Sequence, residues 1–254
     1  MKLNFKSVQN IHFTKKTIKI IILSIIIVAS FSYDISFIMH MKRVGKGIVY
    51  IKPISSKEIV HGNTSKKQII FTFDAGSGTQ SADKILGVLA KHHVKGTFFV
   101  TGKFIEGNKD LIMKVVSSGH EVFNHTYDHP HLTSLKDSDI VAELNKADTL
   151  LKLVTGSSTK PFFRAPYGDR DTRVEKVAAK AGYYSVYWTV DARDWQQSEG
   201  ATSAEVSDLI LSSLKCGNIY LMHVGDDITG EILDNVFTKI EEKGFKIVSL
   251  TEGL

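Results

Sequence analysis

The chain has 254 residues, 43% of them hydrophobic, enough for one substantial core and a single α/β domain with an N-terminal extension. One cysteine, Cys216, excludes an intramolecular disulfide and a thiolate-rich zinc site, so a metal would need His, Asp or Glu ligands. The net charge of +5 divides unevenly: residues 1–67 hold 12 Lys or Arg against Asp34 and Glu58, leaving 20 basic and 25 acidic residues in 68–254. A phosphate-tracking surface needs positive charge on the folded domain, so this distribution argues against nucleic acid as a partner.

Lys2, Lys6, Lys15, Lys16 and Lys19 precede an apolar run over residues 20–33, the arrangement of the charged and hydrophobic regions of an export signal. That run falls short of the ~20 residues that span a bilayer, yet hydrophobicity resumes over 35–41 beyond Asp34. Residues 1–41 therefore read as a signal peptide or membrane anchor, and the expected location is extracytoplasmic. Residues 42–66, rich in Lys and Ser, read as a basic linker able to lie against anionic wall polymer or lipid headgroups. The folded domain is expected over 67–254.

Within it, strand-like runs at 69–73, 97–100, 120–123, 184–188, 219–222 and 246–250 alternate with helical spacings. Ala82, Ile85, Leu86 and Leu89 form one apolar helical stripe, and Ile232, Leu233, Val236 and Ile240 form another. Gly119, Gly182 and Gly244 stand between a helical pattern and the next strand, where a left-handed residue closes a helix. Successive βα units predict a parallel sheet, closed or open, with helices outside.

Four clusters fall at the C-terminal ends of these strands, where a β/α barrel gathers its active site: TFDAG (72–76), NHTYDH (124–129), DARDW (191–195) and LMH (221–223). RAPYG (164–168) adds an arginine. Together they supply carboxylates, a spaced histidine pair and a late histidine, the groups of a metal-assisted hydrolase. His125 and His129 are the metal-ligand candidates, because a turning segment lets both imidazoles converge and Pro130 opposes a continuing helix. His92, His93 and His131 read as surface or packing residues, and His12, His40 and His61 as lying outside the domain.

Taken in order, TFDAG, HTYDH, RAPYG, DARDW and LMH resemble the motifs of the polysaccharide deacetylase family, the NodB-homology domain of carbohydrate esterase family 4, over about residues 67–254. The resemblance implies a distorted (β/α) barrel that uses one divalent metal, zinc or cobalt, to remove acetyl groups from glycans; separately, the chain is expected to act as a monomer. Export points to N-acetylated cell-surface polysaccharide, peptidoglycan above all, or N-acetylglucosamine oligomers. By the same resemblance Asp74 is the general base, His125 and His129 are the metal ligands, and Arg164 holds the base ionised and oriented. His223 is the general acid, with Asp194 fixing its tautomer. The N–H at Tyr167 stabilises the oxyanion, and Trp195 and Leu221 line the acetyl pocket.

There is one departure. The family commonly reads TFDD, whose second aspartate is the third metal ligand, and here Ala75 stands in that place. The residues leave open whether Ser77 or Asp128 replaces the ligand, or whether the domain is a wall-associated module that binds glycan without hydrolysing it. An O-acetyl esterase acting on a xylan-like polymer shares the mechanism and is the other alternative.

Overall fold

The computed structural model describes residues 57–254. The expected leader lies outside the described residues. Among those described, no helix is long and apolar enough to cross a membrane.

Eight strands form one sheet: β1 (Gln68–Ala75), β2 (Thr97–Val100), β3 (Glu121–Asn124), β4 (Phe162–Phe163), β5 (Tyr184–Ser185), β6 (Val190–Asp191), β7 (Ile219–His223) and β8 (Lys246–Val248). Every pairing is parallel, in the order β5-β4-β3-β2-β1-β7-β6, with β8 beside the first half of β1. The helices between them are α1 (Ala82–Lys91), α2 (Gly102–Gly107), α3 (Lys109–Ser117), α4 (Asp137–Thr155), α5 (Thr172–Lys180), α6 (Ser203–Ser212), α7 (Asp227–Glu242) and α8 (Leu250–Gly253). The chain thus has a half-barrel α/β form, built on the parallel sheet expected from its βα alternation.

The run 184–188, expected as one strand, is cut short. Only Tyr184 and Ser185 pair with β4, and Val190 and Asp191 just beyond the run form a separate strand beside β7 at the far side of the sheet. Parallel neighbours need a crossover of a dozen or more residues, and 186–189 is too short to provide one. The barrel therefore stays unzipped between β5 and β6. Residues 57–66 also depart from the expected linker. Ile59 N–H donates to Ser185 O at 2.8 Å, its carbonyl accepts from Tyr187 N–H at 2.8 Å, and Gly62 N–H donates to Gly217 O at 2.7 Å. The domain accordingly begins before residue 67, with part of this segment laid against the open seam.

Period-2 alternation along β1 decides which side chains reach the site. Ile69, Phe71, Phe73 and Ala75 belong to the apolar layer shared with the inner faces of α1 and α7. Ile70 joins Phe99, Phe123, Phe162, Ile219 and Val248 in a separate cluster, the opposite face of the sheet. The expected left-handed residues are present: Gly119, Gly182 and Gly244 have φ of 78°, 93° and 76° and follow α3, α5 and α7.

Candidate active site

A cavity of about 710 Å³ opens at the C-terminal ends of the strands and is lined by Asp74, His125, His129, Tyr167, Trp195, Leu221 and His223 among others. Parallel register sets Asp74 directly beside His223 across β1 and β7. Arg164, fully buried, lies beneath. Its Nη1 donates to Asp74 Oδ1 at 2.6 Å and to Thr72 Oγ1 at 2.9 Å, while Nη2 and Nε reach the carbonyls of Tyr187 and Val186. Burial pushes the Asp74 carboxyl up, but the Arg164 charge, followed by His125 and His223, outweighs it and holds the group below its ordinary value.

His125 follows β3 directly. Its Nδ1 lies 2.9 Å from Arg164 O, which requires the proton on that nitrogen and leaves Nε2 as a bare lone pair. His129 brings its own Nε2 to 3.1 Å from that atom. Burial lowers both imidazoles, His129 to about 4, with the neighbouring imidazole next in effect for His129. With the His125 lone pair fixed, the contact between the two Nε2 atoms is a hydrogen bond donated by His129 Nε2–H, and loss of this proton would leave two neutral imidazole nitrogens side by side, a donor set that fits zinc or cobalt. Asp74 Oδ2 stands 3.4 Å from His125 Nε2.

On the other wall, His223 Nδ1 lies 2.9 Å from Asp194 Oδ1 and its backbone N–H donates to Asp194 Oδ2 at 2.7 Å. Trp195 N–H and Thr229 Oγ1 also donate to Asp194. Burial opposes charge on His223, but the hydrogen bond and charge of Asp194, with Asp74 and Asp226, raise it to about 9. Asp194, His223 and Asp226 form the one group of three potential metal ligands within 4.8 Å among the described residues. Asp194 is already saturated by four donors there, so the group orients an imidazole.

The remaining expected residues sit around the opening. Tyr167 adopts φ 59°, its ring stacks on His131 at 4.3 Å, and its N–H has no hydrogen-bond partner among the described residues. His131, expected as a surface or packing residue, packs against Tyr167 at the rim. Trp195 is exposed and Leu221 buried at the cavity wall. Asp128 does not replace the missing ligand, because its carboxylate pairs with Lys103 at 3.0 Å. Ala75, 2% exposed, faces the apolar layer opposite Asp74. Trp188, Asp191 and Asp226 also line the cavity; Asp191 was expected at this end of the sheet as part of DARDW, and Trp188 and Asp226 were not expected there from the sequence. Asp191 opens the DARDW motif and so carried a signal, whereas Trp188 read as the end of a strand.

The fold and site define a hydrolase-type α/β half-barrel with a base–arginine pair and an acid–carboxylate pair flanking two convergent histidines. The chain belongs to the polysaccharide deacetylase family: the Polysaccharide deacetylase model matches residues 61–186. It is 33% identical over 191 residues to the peptidoglycan-N-acetylmuramic acid deacetylase PdaA of Bacillus subtilis, covering 75% of this chain and 73% of PdaA. The solved PdaA structure superposes with a TM-score of 0.74 at 32% identity, over 78% of this chain and 85% of that one. YlxY of B. subtilis is 32% identical over 207 residues, 82% of this chain but only 63% of YlxY. BA3943 of Bacillus anthracis, a pseudoenzyme of carbohydrate esterase family 4, matches at 30% identity and TM-score 0.74, over 78% and 69% of the two chains. A BA3943 mutant with restored enzymatic activity matches at the same TM-score.

Proposed function

We propose that this protein is an extracytoplasmic, metal-dependent deacetylase that hydrolyses N-acetyl groups of cell-surface polysaccharide, with peptidoglycan or N-acetylglucosamine oligomers as substrate. The observation that carries the reading is the opposite protonation of two neighbouring groups, Asp74 held ionised and His223 held protonated, beside the histidine pair. His125 and His129 would hold a divalent ion, which when bound would supply Lewis acidity toward the acyl oxygen and the attacking water. Asp74 accepts the proton of that water. The Tyr167 N–H donates to the developing oxyanion, and His223 delivers its proton to the leaving nitrogen while Asp194 holds the ring. Among the described residues no Lys or Arg lines the cavity, which favours a neutral glycan over a phosphorylated one. The leader of residues 1–41 supports export.

The test is acetate release from peptidoglycan fragments and N-acetylglucosamine oligomers, comparing chelated protein with protein resupplied with zinc or cobalt. Folded protein that stays silent under both metals would sink the reading. Ala75 favours the second reading, a module that binds glycan without turnover, and glycan affinity unchanged by Asp74→Ala would support it.

Ala75→Asp separates the two. Position 75 faces the apolar layer, so an unpaired carboxylate there costs about 3–5 kcal/mol in metal-free protein. Gly76 runs alongside His129, close enough that a methyl group placed on its Cα would meet His129 Cδ2 at 3.8 Å, so the strand end lies beside the histidines and a carboxylate at 75 reaches them only if the backbone there rotates. The variant is expected to melt lower without zinc, to recover with it and to bind zinc at least about tenfold tighter. Unchanged zinc affinity in a competition titration would show that the carboxylate stays in the apolar layer.

The pH profile is a further expectation. His223 is protonated below about 9, so turnover should fall as pH rises through that value. Stability from the His223–Asp194 pair follows the same sign, present below the ordinary imidazole value of about 6.5 and lost as pH climbs through about 9. Asp194→Asn should move the alkaline limb down by about one unit or more. A limb left in place would remove Asp194 from this role.

A further inference from the structure

Every backbone N–H of the segment 125–129 has a partner. His125 N–H donates to Val100 O, Thr126 N–H to Asn124 Oδ1, and His129 N–H to Thr126 Oγ1. The two between them depend on one atom: Glu143 Oε2 accepts from Tyr127 N–H at 2.9 Å and from Asp128 N–H at 2.7 Å. Glu143 belongs to α4, 15 residues beyond Asp128.

The segment needs such a clamp. Thr126 and His129 hold φ of 66° and 61°, a left-handed conformation that costs a residue with a side chain on the order of 1 kcal/mol or more. These two turns bring His129 Nε2 back to His125 Nε2. Left unheld, the backbone would relax to ordinary φ and the rings would part. With Ala75 supplying no ligand, affinity for an ion rests on how well the two nitrogens are already aimed. We propose that Glu143 is a positioning residue, fixing the left-handed segment so that His125 and His129 converge. The inference rests on the metal-site reading above.

Zinc alone is the probe, with affinity measured by competition against a chromophoric chelator on the intact chain. Glu143→Ala is expected to weaken zinc binding about 10–100-fold, the effect of losing an outer partner of a metal ligand. Glu143→Gln, which keeps a carbonyl acceptor, should stay within about threefold of wild type. Glu143→Asp withdraws the oxygen by one methylene and should lose affinity like the alanine variant, which serves if that variant does not fold. Amide exchange at Tyr127 and Asp128 should quicken in the weakened variants while the β1 amides keep their protection.

The outcomes are distinguishable. Zinc affinity that His125→Ala leaves untouched overturns the metal site, and the positioning role with it. Zinc lost in His125→Ala but held at wild-type strength in both Glu143→Ala and Glu143→Asp overturns the positioning role alone. Equal loss in Glu143→Gln and Glu143→Ala also overturns it, by assigning the effect to charge.

Discussion

Asp74→Asn is expected to lower acetate release by about 10²–10⁴-fold, the contribution of a positioned general base. The amide keeps the shape but cannot take a proton. Zinc affinity should change little, because the two histidine nitrogens do the holding and Asp74 is committed to Arg164 at 2.6 Å. Single-turnover acetate release and a zinc titration on the same preparation check both parts. A parallel loss of zinc would make Asp74 a ligand and remove the reason for calling it the base. The variant leaves Arg164 with a weaker acceptor, so a melting curve belongs beside the kinetics.

Arg164→Met is expected to be among the most destabilising single changes in the site, about 3–5 kcal/mol by urea unfolding. The guanidinium is fully buried, lies 4.2 Å from the Phe99 ring centroid and donates to four different acceptors. Removing it strands the Asp74 carboxylate without its counter-charge and leaves two carbonyls short of a donor. Adding Asp74→Asn to Arg164→Met should return part of the loss, since a neutral amide is cheaper to bury than a lone carboxylate. Strict additivity of the two changes, within about 0.5 kcal/mol, would show that they do not act as a pair. Lysine is a poor substitute, because one ammonium cannot reproduce the planar fork that serves Asp74, Thr72 and Tyr187 together.

The catalytic candidates were legible because their residue types are chemically unusual where they stand. Asp74 stands next to last in an apolar strand, and His223 closes another. Buried strand ends rarely carry such groups without a partner, and both partners, Arg164 and Asp194, were also visible in short motifs. Strands 97–100 and 219–222 were readable from apolar runs bounded by turns. The early end of the 184–188 run was not, since local hydrophobicity is the same whether a run stays in one strand or crosses an open seam. Glu143 carried no signal at all: in the sequence it is one acid on the polar side of a long helix.

The sequence by itself determined the chemistry this protein can attempt. With a single cysteine, its metal chemistry falls to histidine and carboxylate, and the alternation of strand and helix periods put those residues at one end of a parallel sheet. Only the tertiary structure decided how they face one another. Asp74 meets Arg164 across 90 residues of chain, and Ala75, its immediate neighbour, turns to the opposite layer. Side-chain periodicity reports which face of one element is buried. The distances between atoms from different elements are set by strand register, by the unzipped seam and by the left-handed turns of the histidine segment, and these depend on contacts that no local pattern records.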